Sequence, residues 1–238
     1  MTLAEILASL FPKGHAVSVR DGLVTGSGPF ADGQIRVVGV DGDTPLGVEG
    51  ALSLSRAVLD AVRAGDRAPI LVAVDSDSQR MSRRDELLGL NECLAHLAKT
   101  LLLADRSGHP TIGLIYGHSA AGAFIATALA TRVLAALPGA NPSVMDLPSV
   151  ARVTKLPLDK LEEMAKSTPV FAPGIDNMLA TGAVHVVLDP DKPLDSQIRD
   201  LIADLPQSDV RDRLGAERGG RPLARAVADA VAGQARLA

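Results

Sequence analysis

The sequence predicts an α/β fold with a mostly parallel sheet, and three observations carry that expectation. Short aliphatic runs alternate with longer stretches of helical apolar spacing from Gln34 to Val144. Glycine, proline and aspartate mark the joints between them. Aromatic residues are few, with no Trp, one Tyr and four Phe; a core of Ala, Val, Leu and Ile suits close packing of helix on sheet.

Taken in order, "MTLAEILASLF" reads as a short amphipathic helix. His15 to Val19 and Gln34 to Val40 read as strands, and "PLGVEGALSLSRAVLDAVRAG" as a helix ending at a glycine. "APILVAVDSDS" is a buried strand running into a polar turn, "RRDELLGLNECLAHLAKTLLLADRSG" a long helix, "HPTIGLIYG" a second buried strand and "AAGAFIATALA" a helix. A further short strand and turn lie in "TRVLAALPGANPSV". Beyond Asp146 the chain predicts two or three short helices punctuated by Pro157, Pro169 and Pro173, then a strand from Val184 to Leu188. Two amphipathic helices end it, one in "LDSQIRDLIADLP" and one in the last segment. The expected partition is one domain over residues 1–190 and a helical arm over 191–238, used for packing or subunit assembly.

Composition narrows the function. A net charge of −4 with mixed signs argues against a nucleic-acid or anionic-membrane partner, and the scarcity of aromatic rings removes the usual stacking platforms. Cys93 is the single cysteine, so this chain builds no disulfide framework and no cysteine zinc site. No run approaches the roughly 20 apolar residues of a membrane span, and the first helix lacks the features of a secretion signal. A cytoplasmic protein is expected.

The chemistry concentrates in "IGLIYGHSAAGAFIATALA". Gly117-His118-Ser119-Ala120-Ala121-Gly122 is close to the G-x-S-x-G nucleophile elbow, with its second glycine one place late. A serine hydrolase would need His185, the only histidine after it, with Asp176 or Asp189 in support. Packing alone also explains small residues, since they let a helix sit against a strand. A third reading uses backbone: the first amides of a helix have no partner within it, and small side chains from Ser119 to Ala123 would let an acyl oxygen reach them as an oxyanion hole. Gly122 and Ala123 are then the donors, with Ala121 as a steric allowance. His118 is a candidate proton relay or a turn residue, and Ser119 a substrate-site group or a helix cap. Arg80, Arg83 and Arg84 either meet a carboxylate or form the charged first turn of a solvated helix; His96 reads as packing. No metal-ligand spacing is present.

Several of these stretches resemble a known family. The segment from Ile70 through Leu129 resembles the C-terminal half of the carboxyltransferase domains of acyl-CoA carboxylases, in the crotonase superfamily. It matches the family's strand and turn at Asp75 to Ser78, His-Gly-Ala-Lys at His96 to Lys99, the Pro-led strand at Pro110 and Gly-Gly-Ala at Ala121 to Ala123. "LATGAVHVVLDP" (Leu179 to Pro190) is similar to the closing strand. More narrowly, "GHSAAGAF" and "VMDLPSVARVTKLPLDKLEEMAKSTPVFAPGIDN" resemble the gamma subunits of biotin-independent malonate decarboxylases.

The resemblance implies a crotonase-like ββα superhelix and a lyase active only with a beta subunit. Its substrate is a malonyl thioester on the coenzyme-A-like arm of an acyl carrier protein, with an acyl-transferase subunit in the same assembly. No cofactor bound covalently to this chain is expected. The implied catalytic positions are Gly122, Ala123, Ala121, Ser119 and His118, with Gly117, Ser78, Gln79 and Arg80 in substrate binding. Where the carboxylases carry a Pro-Gly loop, this chain has Ser76 to Met81; Ala121 replaces the first glycine, and Ser119 an apolar residue. These departures point away from biotin and from carboxyl transfer to a second acyl-CoA. A non-catalytic assembly partner of the beta chain is the remaining alternative.

Overall fold

A computed structural model describes residues 1–167 and 173–235. Pro169, among the expected helix breakers, and the last three residues of the arm lie outside them. Helix α1 (Leu3–Leu10) opens on a capping box in which Thr2 and Glu5 satisfy each other's backbone amides. Strands β1 (Ser18–Arg20), β2 (Leu23–Phe30) and β3 (Gly33–Val40) form an antiparallel meander. After it come α2 (Val48–Ala64), β4 (Ile70–Ser76), α3 (Arg83–Leu87), α4 (Leu90–Arg106), β5 (Thr111–Ala120) and α5 (Ala121–Ala126). A 3-10 turn at Ala128–Ala130 leads to β6 (Val133–Ala136) and β7 (Asn141–Ser143), then α6 (Leu147–Thr154), α7 (Leu158–Ser167) and α8 (Ile175–Ala180). The chain ends in β8 (Val186–Val187), α9 (Leu194–Ala203), α10 (Arg211–Glu217) and α11 (Ala224–Ala235).

The strands make one sheet in the order β1-β2-β3-β4-β5-β6-β8, with β7 pairing the far end of β5. Every pairing from β3 onward is parallel, as the alternating pattern predicts. Alternate residues feed two cores. Val38, Val72, Ile115 and Leu134 face α2, α4 and α5; Val37, Leu71, Leu114 and Ala135 face α1 and α9. Leu194 and Ile198 of α9 are fully buried in that second core, so the start of the expected arm seals the domain's own sheet. By contrast α11 has no buried residue.

The structure departs from the sequence reading in five places. β2 was not expected, because "LVTGSGPF" carries two glycines and a proline that read as loop, yet all eight of its residues pair with β3. The long helix is broken at Gly89, whose φ of 78° ends α3 and starts α4. β5 runs on through Gly117, His118 and Ser119, so the helix begins at Ala121. The expected strand Val184 to Leu188 shrinks to two residues, and β1 starts at Ser18. Among the described residues no helix is long and apolar enough to cross a membrane.

His185 ties β8 to β6. Its Nδ1 accepts the Leu134 N–H at 3.1 Å and its own N–H donates to the Leu134 carbonyl at 2.7 Å. Burial, and then the nearby Arg211 charge, lower its pKa from 6.5 to about 4. The folded ring therefore stays neutral where the unfolded chain takes up a proton, and stability contributed by this residue is lost as pH falls from about 6.5 toward 4. His185→Gln should flatten that part of the stability profile relative to wild type, as read from denaturant midpoints across the window.

Candidate functional site

The site is built where β4 and β5 stop running in step. Val74 pairs with Ile115 and Ser76 with Ser119, so two steps along β4 answer four along β5, and Tyr116 to His118 bulge from the ladder. Asp75 fills the gap. Its Oδ1 accepts the His118 N–H at 2.9 Å, and a Cβ at Gly117 would lie 2.1 Å from that same oxygen. Only glycine fits there.

The bulge sends Tyr116 and His118 toward the loops after β3 and β4. The Tyr116 hydroxyl donates to Asp41 Oδ1 at 2.7 Å, and burial first, then this contact, raises its pKa. His118 Nδ1 lies 3.1 Å from Asp43 Oδ1 and 4.0 Å from Asp77 Oδ1. Sequence reasoning gave none of the four carboxylates a site role, although Asp75 and Asp77 lie in the matched turn and a signal is present: Val40-Asp41-Gly42-Asp43 and Val74-Asp75-Ser76-Asp77 repeat one pattern toward the ends of two strands, and Val40 and Val74 are register partners.

On the other side of the turn, Ala121 takes φ 50°, a left-handed conformation that costs an L-residue about 1–2 kcal/mol. Here the related carboxyltransferase pattern carries glycine, and Ala121 bears the strain. It aims the Gly122 N–H at the loop after β4, where Gln79 Oε1 accepts it at 2.8 Å. The Gln79 backbone is fixed by a bridge to Leu46, flanked by the bonds Leu46 N–H to Ser78 O and Arg80 N–H to Leu46 O. A Cβ on Gly122 would sit 3.0 Å from Gln79 Oε1 and 3.2 Å from Leu94, so a larger residue presses on both.

The other expected site residues divide. Ala123 is wholly buried in the core with Phe124, so a ligand reaches its amide only after the cover shifts. α5 has six residues, too short for much of a macrodipole, which leaves individual amides as the useful feature. Ser119 is fully buried with no partner for Oγ, and Ala120 occupies the cap position with no side-chain bond, so the cap reading of Ser119 is not what the structure shows. His185 bonds to Leu134, the partner of Gly113, six residues along β5 from Ser119. Gly113 and Ser119 pair with Val72 and Ser76, four residues apart on β4, so at roughly 3.3 Å per residue they lie about 13 Å apart along the sheet, which dissolves the hydrolase triad.

Ser78 donates to the Gln79 carbonyl at 3.0 Å. Arg80 leans toward Asp85 at 3.9 Å, beside Gly47 at the start of α2, and with Arg84 lines a cleft of about 460 Å³ there. Arg84 pairs with Glu49 at 2.5 Å, and Arg83 is exposed. His96 is exposed on α4, against the expectation of packing. Among the described residues, the one group of three metal-capable side chains within 4.8 Å of one another is Asp43, Asp77 and His118. They come from three separate segments and already meet as a carboxylate–imidazole cluster.

The mixed sheet with its helices has the crotonase-like fold of the carboxyltransferases. Transcarboxylase 12S shares the fold, at a TM-score of 0.69 and 15% identity over 87% of this chain and 41% of that one. Residues 42–235 match the malonate decarboxylase gamma subunit family, and the chain belongs to it. A chain of a Pseudomonas malonate decarboxylase hetero-tetramer in complex with coenzyme A superposes with a TM-score of 0.76 and 26% identity, covering 98% of this chain and 96% of that one. A chain of the Pseudomonas MdcD-MdcE hetero-dimer gives 0.73 and 25%, covering 94% and 98%. The malonyl-S-ACP:biotin-protein carboxyltransferase of Malonomonas rubra is 29% identical over 75% of this chain and 68% of that protein.

Two variants separate the roles. Ser119→Ala removes an unpartnered buried hydroxyl and should leave both stability and turnover within about twofold of wild type, whereas a nucleophile would lose nearly all activity. Ala121→Gly should relieve the left-handed strain and raise unfolding free energy by up to about 1 kcal/mol, measured by urea denaturation.

Proposed function

We propose that this decarboxylase subunit supplies one half of a split site in which a malonyl thioester, carried on the prosthetic arm of an acyl carrier protein, loses carbon dioxide. The observation that supports this most is the Gly122 N–H, which already holds an acyl-type oxygen, that of the Gln79 carboxamide, at 2.8 Å. Exchanging that neutral oxygen for a neutral thioester oxygen is close to an even trade. Loss of carbon dioxide puts negative charge on the thioester oxygen, and the hydrogen bond then becomes charge-assisted. The donor thus favours the enolate over the bound substrate, the differential stabilisation that accelerates a reaction, and one such donor is worth on the order of 3 kcal/mol.

The same reading makes Ala123 a second donor once its cover moves, and gives Ser78, Arg80 and Gly117 the substrate's flank. A beta subunit provides the other half, with the acyl-transferase subunit loading the carrier. We assign the assembly role of the arm to its end, where Leu223, just ahead of α11, and Val227 and Val231 within it recur every fourth residue and are exposed. The proposed setting is the cytoplasm, where Cys93 stays a thiol. Decarboxylation without biotin is favoured by the polar loop Ser76 to Met81, which departs from the biotin-dependent pattern.

The test is co-purification with the beta-type partner and an assay of carbon dioxide release from a malonyl thioester. Neither chain alone should suffice, and avidin should not inhibit. Gly122→Val should cost about 100-fold or more in kcat. Unchanged turnover in that variant would sink the amide mechanism and favour a non-catalytic assembly role; avidin inhibition would restore a biotin step.

A further inference from the structure

Two matching turns grip one short piece of β5. Asp41 takes the Tyr116 hydroxyl, Asp75 takes the His118 N–H, and Asp43 and Asp77 flank the His118 ring on its Nδ1 side. Three of the four carboxylates of the two Val-Asp-x-Asp turns bond to Tyr116 or His118, and the fourth, Asp77, lies 4.0 Å from the ring nitrogen while accepting the Ser78 hydroxyl at 3.5 Å. Asp75 and Asp41 fix the backbone and the neighbouring ring from the buried side. The imidazole itself remains about one-third exposed, and no described residue bonds to its Nε2. Asp43 holds φ 53°, a conformation that Asp and Asn adopt more readily than other residues with a Cβ, so the turn delivers its carboxylate to Nδ1.

We propose that His118 delivers the proton to the enolate carbon and that Asp43 and Asp77 are positioning residues, holding Nδ1–H so that Nε2 is the nitrogen that cycles. This rests on the decarboxylation reading above. In the step, the bond between the carboxylate carbon and the α-carbon breaks, carbon dioxide leaves, and its electron pair remains in the enolate. The charged imidazole then gives its Nε2 proton to the α-carbon, a new C–H bond forms, and the acetyl thioester results. The ring is left neutral with its hydrogen on Nδ1, donated to Asp43, and its lone pair on Nε2, ready to take a proton from water. Without the carboxylates the neutral ring would populate both tautomers, and only one of them can be recharged at the nitrogen that faces substrate.

The experiment uses the assembled complex with malonyl thioester as probe. Expected results are a loss of about 100-fold in kcat for His118→Gln and of more than about tenfold for Asp43→Asn with Asp77→Asn, with KM within about twofold. Adding the two Asn substitutions to His118→Gln should cost nothing further, since they act through the ring. Nitrogen-15 NMR of the His118 ring should show a single Nδ1–H tautomer in wild type and a mixture in the Asn variants; Asn suits the left-handed position at 43, and a thermal melt checks that the fold is kept. If the variants turn over like wild type, or their losses add to that of His118→Gln, the proposal is overturned. If the wild-type complex releases no carbon dioxide while the tautomer remains fixed, the decarboxylation reading fails and the positioning of the ring stands apart from it.

Discussion

The arrangement depends on one hydrogen bond, from the His118 N–H to Asp75 Oδ1. A ladder amide would ordinarily meet a carbonyl of the neighbouring strand. Here a side chain of β4 takes that place, the strand swells by two residues, and pairing resumes at Ser119. The carboxylate needs the space that the missing Cβ at Gly117 provides. From that point the chain enters α5 through the left-handed Ala121, and the Gly122 amide comes to face the loop after β4. A buried partnership of glycine and aspartate thus sets the direction of a tyrosine, a histidine and a backbone donor together.

The parallel core was legible because it is written in local periodicity. "APILVAVDSDS" and "HPTIGLIYG" are aliphatic runs of strand length, and α2 and α4 show helical spacing with a glycine at the end of one and before the start of the other. The middle strand of the early meander was not, since β2 satisfies its backbone through partners on both sides and needs no aliphatic run of its own. The family resemblance marked Ala121 to Ala123, but it could not show that Ala123 faces the core or that Gly122 is already engaged. The acidic clasp was hidden for a different reason. Its members are spread from Asp41 to His118, and only the register of Val40 against Val74 brings the two halves level.

Ser119 shows how a motif can mislead. In sequence it stands where a nucleophile would, between glycines and ahead of a helix. In space it is the residue at which the ladder re-forms, turned into the sheet with its hydroxyl buried and unpartnered. Of the neighbours in the bulge, Tyr116 is buried and His118 keeps an accessible ring. Side-chain alternation, unchanged except for the inserted residues, decided which of two adjacent polar residues is buried and which is open to solvent.

Gln79 has a consequence for selectivity. A carboxamide tethered by a rigid backbone competes for its amide as though present at millimolar concentration or above. A stray acyl group arriving by diffusion has to outbid that internal rival with a single contact. An acyl chain delivered on a docked carrier shares the advantage of tethering and meets the rival on equal terms. Under the proposed function, such an arrangement would favour an acyl group by its mode of delivery and shield the donor from loose metabolites.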